Sequence, residues 1–87
     1  MKGGDHMTHE EILKKYGATD IKRYTLINNY GYNFSIDGIG YDIRFWANCY
    51  GADVNKWQIM PCTKGDDGKY IPMDRDLAKK IEAEFNG

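Results

Sequence analysis

Two kinds of side chain in this sequence have catalytic or metal-binding chemistry: the cysteines Cys49 and Cys62, and the histidines His6 and His9. A zinc site needs Cys or His ligands in closely spaced pairs, and the chain has neither a Cys-x-x-Cys nor a His-x₃-His spacing. A thiol nucleophile needs a base beside it, and no spacing brings a histidine to either cysteine. We therefore predict no catalytic residue, no metal site and no cofactor, hence not an enzyme. A small hydrolase or transferase that uses a cysteine thiolate is the enzymatic alternative.

Carboxylates cluster at Asp66-Asp67 and again at Asp74 and Asp76. Hard cations need several oxygen ligands at defined spacing, and the EF-hand pattern is absent. The sequence Asp66-Asp67-Gly68 is typical of a hairpin turn, and Asp74 is typical of a helix N-cap. We therefore assign these acids to local structure rather than to a metal site.

The charges of the chain are balanced, with 12 basic and 13 acidic residues and a formal net charge of −1. Nucleic-acid-binding proteins that rely on charge carry a basic excess on one surface, so this balance argues against that class. No apolar run approaches the ~20 residues that cross a membrane, and the N-terminus lacks the pattern of a signal peptide. These features predict a cytoplasmic protein without a membrane partner.

The residue types best suited to binding are an arginine and a tryptophan two positions apart, Arg44 and Trp46. On a strand both point to the same side, where they can stack on a base, a peptide side chain or an aromatic residue of a partner. Aromatic residues make up 14% of the chain, and a domain this small cannot bury them all. We predict a binding surface of Arg44, Trp46, Tyr50, Gln58 and Met60. The alternative is that Trp46 merely covers the sheet.

The stretch that positions Arg44 and Trp46 is a predicted hairpin across residues 30–48. Its centre, Asp37-Gly38, readily adopts the positive φ angles of a two-residue type I′ turn. With that turn, every facing pair on one side is apolar or aromatic: Tyr30–Phe45, Tyr32–Ile43, Phe34–Tyr41 and Ile36–Ile39. The alternate residues are polar and fall on the other face: Asn33, Ser35, Asp42 and Arg44.

A short helix precedes the strands and a longer one follows them. Thr8 and Glu11 form a capping box, and Gly17 is typical of a helix end. The apolar stripe between them consists of Ile12, Leu13 and Tyr16. The second helix begins at Asp74 as N-cap, and its apolar stripe consists of Leu77, Ala78, Ile81 and Phe85. Because each helix has one apolar stripe, we expect both to dock on the same face of the sheet.

Residue patterns predict three further strands, at residues 21–28, 57–63 and 69–72. We expect the strand at 57–63 to pair with the second half of the hairpin about a centre near Asp53. The facing pairs are then Phe45–Pro61, Trp46–Met60, Ala47–Ile59, Arg44–Cys62 and Cys49–Trp57. Since the two cysteines are out of line in this register, we expect free, buried or half-buried thiols rather than a disulfide.

The element order is helix, four or five antiparallel strands, helix, which predicts an α+β two-layer domain with a β-meander and both helices on one face. Residues 1–6 lack periodicity, and we expect a disordered leader or an expression remnant there, with residues 7–87 as a single domain. The order resembles the double-stranded-RNA-binding fold, which runs helix, three strands, helix. That family has lysines at the start of its second helix, where this chain has Asp74, Arg75 and Asp76, and this difference argues against that function.

Together these features predict a small non-enzymatic binding module that engages a protein partner through the face carrying Arg44 and Trp46. By analogy of size, it belongs with the accessory or inhibitor proteins of phages and mobile elements. The alternative is a single-stranded nucleic-acid-binding domain that uses the same face, with charge from Arg44 and Lys56. We expect a monomer or a homodimer paired through an edge strand.

Overall fold

The computed structural model describes residues 7–27, 29–46 and 56–87. Within them the elements are α1 His9–Lys15, β1 Thr19–Thr25, β2 Asn29–Ile36, β3 Ile39–Trp46, β4 Lys56–Pro61 and α2 Arg75–Asn86. The four strands form one antiparallel sheet in the order β1-β2-β3-β4. The predicted α+β class with an antiparallel meander is confirmed. The predicted strand at residues 69–72 is wrong, since that segment contributes only an isolated bridge between Lys64 and Tyr70.

Both helices begin where the sequence predicts, because the first amides of a helix need partners outside it. Thr8 Oγ1 accepts a hydrogen bond from the Glu11 amide at 3.1 Å, and Glu11 Oε1 accepts one from the Thr8 amide at 2.8 Å. Asp74 Oδ1 accepts from the Asp76 amide at 3.1 Å. Gly17 follows the C-cap of α1 at a φ of +86°, as the sequence predicts. In the described part of the chain, neither helix is both long and apolar enough to cross a membrane.

The hairpin of β2 and β3 has the predicted register. Asp37 and Gly38 adopt φ angles of +52° and +79°, as a type I′ turn requires. The facing pairs on the buried side are Tyr30–Phe45, Tyr32–Ile43, Phe34–Tyr41 and Ile36–Ile39. The rings of Phe34 and Tyr41 stack with centroids 5.5 Å apart. The turn and the apolar pairs thus agree on one register.

The predicted register between β3 and β4 is wrong by four residues. The observed pairs are Tyr41–Pro61, Ile43–Ile59, Arg44–Gln58, Phe45–Trp57 and Trp46–Lys56. This register brings the Trp57 ring to centroid distances of 5.0 Å from Phe85 and 5.5 Å from Phe45, which buries a large apolar surface. Because the shift is even, every β4 residue keeps its predicted face. The predicted pairs of Ala47 and Cys49 lie outside the described residues.

β1 also differs from the prediction, since it spans Thr19–Thr25 instead of residues 21–28. The chain already turns at Leu26, whose amide donates to Asn29 O at 2.7 Å. Consequently Ile27, which the sequence pattern places in the strand, is 98% exposed. The alternation of apolar residues here was ambiguous between the two faces, and the turn decides where the strand ends.

The core draws side chains from both helices and from the middle of the sheet. Its buried members are Ile12, Leu13, Ala18, Tyr32, Phe34, Ile36, Tyr41, Ile43, Trp57, Ile81 and Phe85. We call the sheet face that carries the strand residues of this set the core face, and the opposite one the outer face. Glu84 of α2 accepts hydrogen bonds from Lys15 and Tyr16, which joins the end of α1 to α2.

Side chains of α2 close the free edge of β4. Trp57 N donates to Asn86 Oδ1 at 2.7 Å, and Asn86 Nδ2 donates to Trp57 O at 3.0 Å. Ile59 N donates to Glu82 Oε2 at 3.0 Å. In an edge strand every second residue directs its amide away from the sheet, and after Trp57 and Ile59 the next such residue is Pro61, which has no amide hydrogen. The β4 edge therefore offers no free amide from these residues to a further strand.

Candidate functional site

The outer face carries three of the five residues predicted to bind a partner. Strand alternation places on it Lys22, Tyr24, Asn33, Ser35, Asp42, Arg44, Lys56, Gln58 and Met60. Across β3 and β4, Arg44 pairs with Gln58 and Asp42 pairs with Met60. The structure thus brings the predicted residues Arg44, Gln58 and Met60 together, although the predicted pairing between the two strands was wrong.

The other two predicted site residues are Trp46 and Tyr50. The backbone of Trp46 ends β3 and pairs with Asn29 and Lys56. The side chain of Trp46 and the whole of Tyr50 lie outside the described residues. Their part in a binding surface stays a prediction.

A cluster of three polar side chains, Tyr24, Asp42 and Arg44, lies at the centre of the outer face. The Tyr24 hydroxyl donates to Asp42 Oδ1 at 2.6 Å and accepts from Arg44 Nε at 2.9 Å. Arg44 Nη2 lies 3.0 Å from Asp42 Oδ2, so that each of the three side chains contacts the other two. Each side chain is therefore held by the other two. We call this set the polar cluster.

The polar cluster depends on a glycine in the middle of β2. A Cβ at Gly31 would lie 2.2 Å from Ile43 O and 3.0 Å from the Tyr24 hydroxyl. Tyr24 belongs to β1 and Asp42 to β3, so the tyrosine reaches its partner by crossing β2 at Gly31. A strand-interior glycine often marks such a close approach. Gly31 is thus a sequence signal for a close approach in β2, but it does not identify Tyr24 as the residue that approaches.

Burial and the contacts within the polar cluster shift the pKa values of Tyr24 and Arg44. Loss of solvent, followed by the hydrogen bond to Asp42, raises the pKa of Tyr24 to about 12. Burial acts to lower the pKa of Arg44, but its contacts with Tyr24 and Asp42 outweigh this and raise it. At neutral pH the phenol is therefore a neutral donor and the guanidinium is charged.

A pocket of ≈ 200 Å³ lies beside the polar cluster. It is lined by Asn33, Asp42, Arg44, Met60, Pro61, Cys62 and Tyr70. The last three come from the end of β4 and the segment after it, where Gly65 N donates to Lys69 O at 2.8 Å and closes a turn. Tyr70 is 54% exposed and is not among the residues predicted to bind a partner. Sheet residues and a returning segment thus form one concave site.

The candidate residues for catalysis and metal binding are dispersed. Cys62 is a free and exposed thiol, rather than the buried or half-buried one predicted, because β4 ends at Pro61. Asp67 accepts a hydrogen bond from a backbone amide two residues on, as expected of a turn residue. Within residues 7–27, 29–46 and 56–87, no three His, Cys, Asp or Glu side chains group to hold a metal ion. Cys49 and His6 lie outside those ranges.

His9 lies at the rim of the core and packs against aromatic rings. Its ring stacks on Phe85 at a centroid distance of 4.5 Å and meets Trp57 edge-on at 4.7 Å. Burial and the charge of Arg23 lower the pKa of His9, which favours the neutral imidazole at neutral pH. These contacts describe a packing residue.

No family model, curated protein or solved structure matches the chain. No residue role can therefore be transferred to it from a relative. Function must consequently be inferred from the geometry of the outer face, above all from the polar cluster and the pocket beside it.

Proposed function

We propose that this protein is a non-enzymatic binding module that engages a protein partner through its outer face. The observation that carries the proposal is the state of Arg44: Asp42 and Tyr24 hold its guanidinium, yet 25% of its side chain is exposed, and it lines the pocket. An arginine held in position loses little conformational freedom on binding, and arginine is enriched among the residues that dominate interfaces. By size, we place the protein with accessory or inhibitor proteins of phages and mobile elements.

The dimensions of the pocket favour a protein ligand over a cofactor. Pockets for small molecules measure roughly 300–1,000 Å³, whereas this one measures ≈ 200 Å³, which suits a single side chain. Its lining combines the apolar surfaces of Met60 and Tyr70 with the polar groups of Asn33 and Arg44. This mixture is typical of protein interfaces, in which an apolar centre adjoins polar contacts.

The proposal includes an arrangement in which both helices cover the core face. Ile12 and Leu13 of α1 belong to the same buried cluster as Ile81 and Phe85 of α2 and the core-face residues of the sheet. This common cluster supports docking of both helices on one side. In that arrangement the outer face stays accessible to a partner.

We extend the proposed surface to Trp46, whose backbone ends β3 beside the β1–β2 turn, and to Tyr50, which follows it in the sequence. Asn29 connects the two regions, because it pairs with Trp46 and accepts the hydrogen bond that closes the turn. Leu26 and Ile27, in that turn, are exposed apolar side chains. Exposed apolar residues beside an arginine-bearing face support a protein contact there.

The test compares partner capture by the wild-type chain and by Met60→Glu. Met60 lines the pocket, and an acidic side chain there adds a charge that a bound partner would have to desolvate. We expect a host protein that is captured by the wild type and lost with Met60→Glu. With that protein purified, calorimetry should show binding weakened at least about tenfold, equivalent to about 1.4 kcal/mol.

The control is Lys80→Glu, which also introduces a glutamate but on an exposed position of α2 and with a larger change of charge. It should retain the partner, and circular dichroism should show both variants folded. Equal retention by Met60→Glu and the wild type would contradict the proposed surface.

Single-stranded nucleic acid is the alternative ligand of the same face. Lys22, Arg44 and Lys56 provide cations, and Tyr70 provides an exposed ring for stacking. For a nucleic-acid complex, the logarithm of the binding constant should fall linearly with the logarithm of the salt concentration. Binding of a short oligothymidine with that dependence, abolished by Met60→Glu, would favour the alternative over a protein partner.

Any homodimer formed by strand pairing is proposed to use β1. The β4 edge is closed by α2. On β1, the Leu26 amide bonds to Asn29, and in an antiparallel pair every second residue bonds to the neighbouring strand. The amides of Arg23 and Thr25 therefore point away from β2, toward a possible partner strand. Thr25→Pro lacks one of these amides, and sedimentation of the wild type and of this variant should show whether each is a monomer or a dimer. A dimer that persists in Thr25→Pro would exclude pairing at this edge.

A further inference from the structure

We propose that the outer face binds an acidic extended segment of its protein partner, and that Arg44 receives one carboxylate of that segment in the pocket beside Tyr70. This inference rests on the proposed function and names the chemistry of the partner. Three observations support it: the sign of the charge on the outer face, the depth of Asp42, and the size and lining of the pocket.

The outer face is positive on a chain whose formal net charge is −1. Among the described strand residues paired in register, three cations and one carboxylate lie on it: Lys22, Arg44, Lys56 and Asp42. Asp20 lies at the irregularity of β1, and counting it on this face still leaves an excess of one cation. The turn after β4 adds equal numbers of each sign and leaves this excess unchanged: Lys64, Lys69, Asp66 and Asp67. A segment of negative charge is therefore attracted to this face and oriented by it.

The Asp42 carboxylate is withdrawn from solvent. The Asp42 side chain is 7% exposed, whereas that of Arg44 is 25% exposed. One oxygen of Asp42 accepts a hydrogen bond from the Tyr24 hydroxyl, and the other contacts the Arg44 guanidinium. Both residues line the pocket, and the Arg44 side chain is the more exposed of the two to a ligand there. The pair is neutral in sum but presents donors, which an anionic acceptor satisfies best.

The pocket has the shape and lining for a carboxylate on a short apolar stem. Its volume of ≈ 200 Å³ admits one side chain. Met60 and Tyr70 offer contact to methylene groups, while Asn33 and Arg44 lie at the same pocket with hydrogen-bond donors. Lys64 Nζ lies 5.2 Å from the centroid of the Tyr70 ring and adds a cation at the rim. Glutamate combines the required stem and charge.

A phosphate backbone fits these observations less well. Nucleic-acid binding gains its affinity from many phosphate contacts along a strand, each made by a cation. The outer face has three cations on its strands, of which Arg44 already contacts Asp42. A pocket of this size, lined by both apolar and polar side chains, suits one carboxylate side chain better than a run of phosphates.

The test measures fluorescence anisotropy with labelled peptides of alternating glycine and glutamate, and of alternating glycine and glutamine, at one fixed salt concentration. The two peptides have the same length and differ only in charge. We expect the glutamate peptide to bind at least about tenfold more tightly than the glutamine peptide. Equal affinity for both, or no binding of either, would overturn the inference.

Variants at the pocket assign the interaction to its residues. Arg44→Gln should lower affinity for the glutamate peptide at least about tenfold, whereas Lys80→Gln on α2 should leave it unchanged. Because Arg44→Gln leaves Asp42 without its cation and threatens folding, Asn33 provides a second pair. Asn33→Asp should weaken binding and Asn33→Lys should strengthen it, since Asn33 is exposed at the same pocket. Identical affinities for these two variants would place the peptide elsewhere and contradict the assignment.

The outcomes separate this inference from the proposed function. If Met60→Glu loses a protein partner while the glutamate peptide fails to bind, the face binds proteins but not through an acidic segment. If oligothymidine binds more tightly than the glutamate peptide and competes with it, the anionic ligand is a nucleic acid and both proposals fail. Binding of the glutamate peptide with the predicted variant pattern supports both.

Discussion

The two faces of β3 are buried by different means. Tyr41, Asp42 and Ile43 follow one another along the strand with exposed fractions of 1%, 5% and 0%. Tyr41 and Ile43 point to the core face and belong to the apolar cluster, whereas Asp42 points to the outer face and is covered by Tyr24 and Arg44. Burial on the outer face therefore comes from polar side chains of the sheet itself.

The two faces should therefore respond differently to substitution. On the core face the size and shape of the new side chain matter most, whereas on the outer face its hydrogen-bonding groups and their directions matter most. Apolar contacts on the core face are non-directional and scale with buried area. Contacts in the polar cluster depend on donor, acceptor and angle, so that loss of one member leaves the others with unmet hydrogen bonds. Four predictions test how far the contrast extends.

The largest expected effect is on the core face. Phe34→Ala removes a buried ring that stacks on Tyr41, and we expect a loss of about 3–5 kcal/mol in the free energy of unfolding. Ser35→Ala, one residue further on the outer face, should change it by less than about 0.5 kcal/mol. Urea denaturation of both variants measures the difference. Similar losses for the two would remove the distinction between the faces at β2.

The second effect concerns the polar cluster. Asp42→Asn keeps the shape but removes the charge that Arg44 contacts, and we expect a loss of about 1–3 kcal/mol in the free energy of unfolding. A double-mutant cycle with Tyr24→Phe should give a coupling energy of about 0.5–3 kcal/mol. Asp37→Asn, on the exposed turn, is the control and should be neutral. Additive effects of Asp42→Asn and Tyr24→Phe would show that the cluster does not act as a unit.

The third effect is an alkaline titration on the outer face. The pKa of Tyr24, at about 12, lies above its ordinary value of 10 because burial and Asp42 disfavour the phenolate. The folded state therefore retains the proton longer than the unfolded state does, and its stabilising contribution is present below pH 10 and lost as the pH rises toward 12. Ultraviolet titration should show one tyrosine of high pKa that disappears in Tyr24→Phe. A spectrum in which Tyr24→Phe removes a tyrosine of ordinary pKa would contradict this.

The smallest effect is an acid titration at the rim of the core face. The pKa of His9 lies below its ordinary value of 6.5, because burial and then the charge of Arg23 disfavour the imidazolium. The unfolded state takes up the proton first, so the stabilising contribution of His9 is present above pH 6.5 and lost as the pH falls through the folded pKa. Nuclear magnetic resonance should report the lowered value, and Arg23→Gln should raise it. A His9 pKa above 6.5 would overturn the assignment.

The core face was predictable because its signals are local and agree with each other. The turn at Asp37-Gly38 and the apolar alternation around it give the same register for β2 and β3, and the structure confirms it. The caps at Thr8 and Asp74 likewise depend on residues three positions apart or fewer. Short-range geometry of this kind can be evaluated without knowledge of the rest of the fold.

The outer face was predictable only as a set of residues. Alternation correctly placed Arg44, Gln58 and Met60 on it, since face depends on parity alone. The partner of Arg44 in β4 was wrong by four residues, because residues 47–55 between the strands contain no turn signal as specific as Asp37-Gly38. The role of Tyr24 was missed, because it reaches Asp42 from two strands away across Gly31.

From the sequence alone follow the caps, the turn, the register of the central hairpin and the face on which each hairpin residue lies, because all of these depend on neighbours in the chain. Tertiary structure decided the register of β4, the closure of its edge by α2 and the assembly of Tyr24, Asp42 and Arg44 beside a pocket. These features depend on which distant surfaces bury the most area and meet the most hydrogen bonds. No pattern within one segment contains that information.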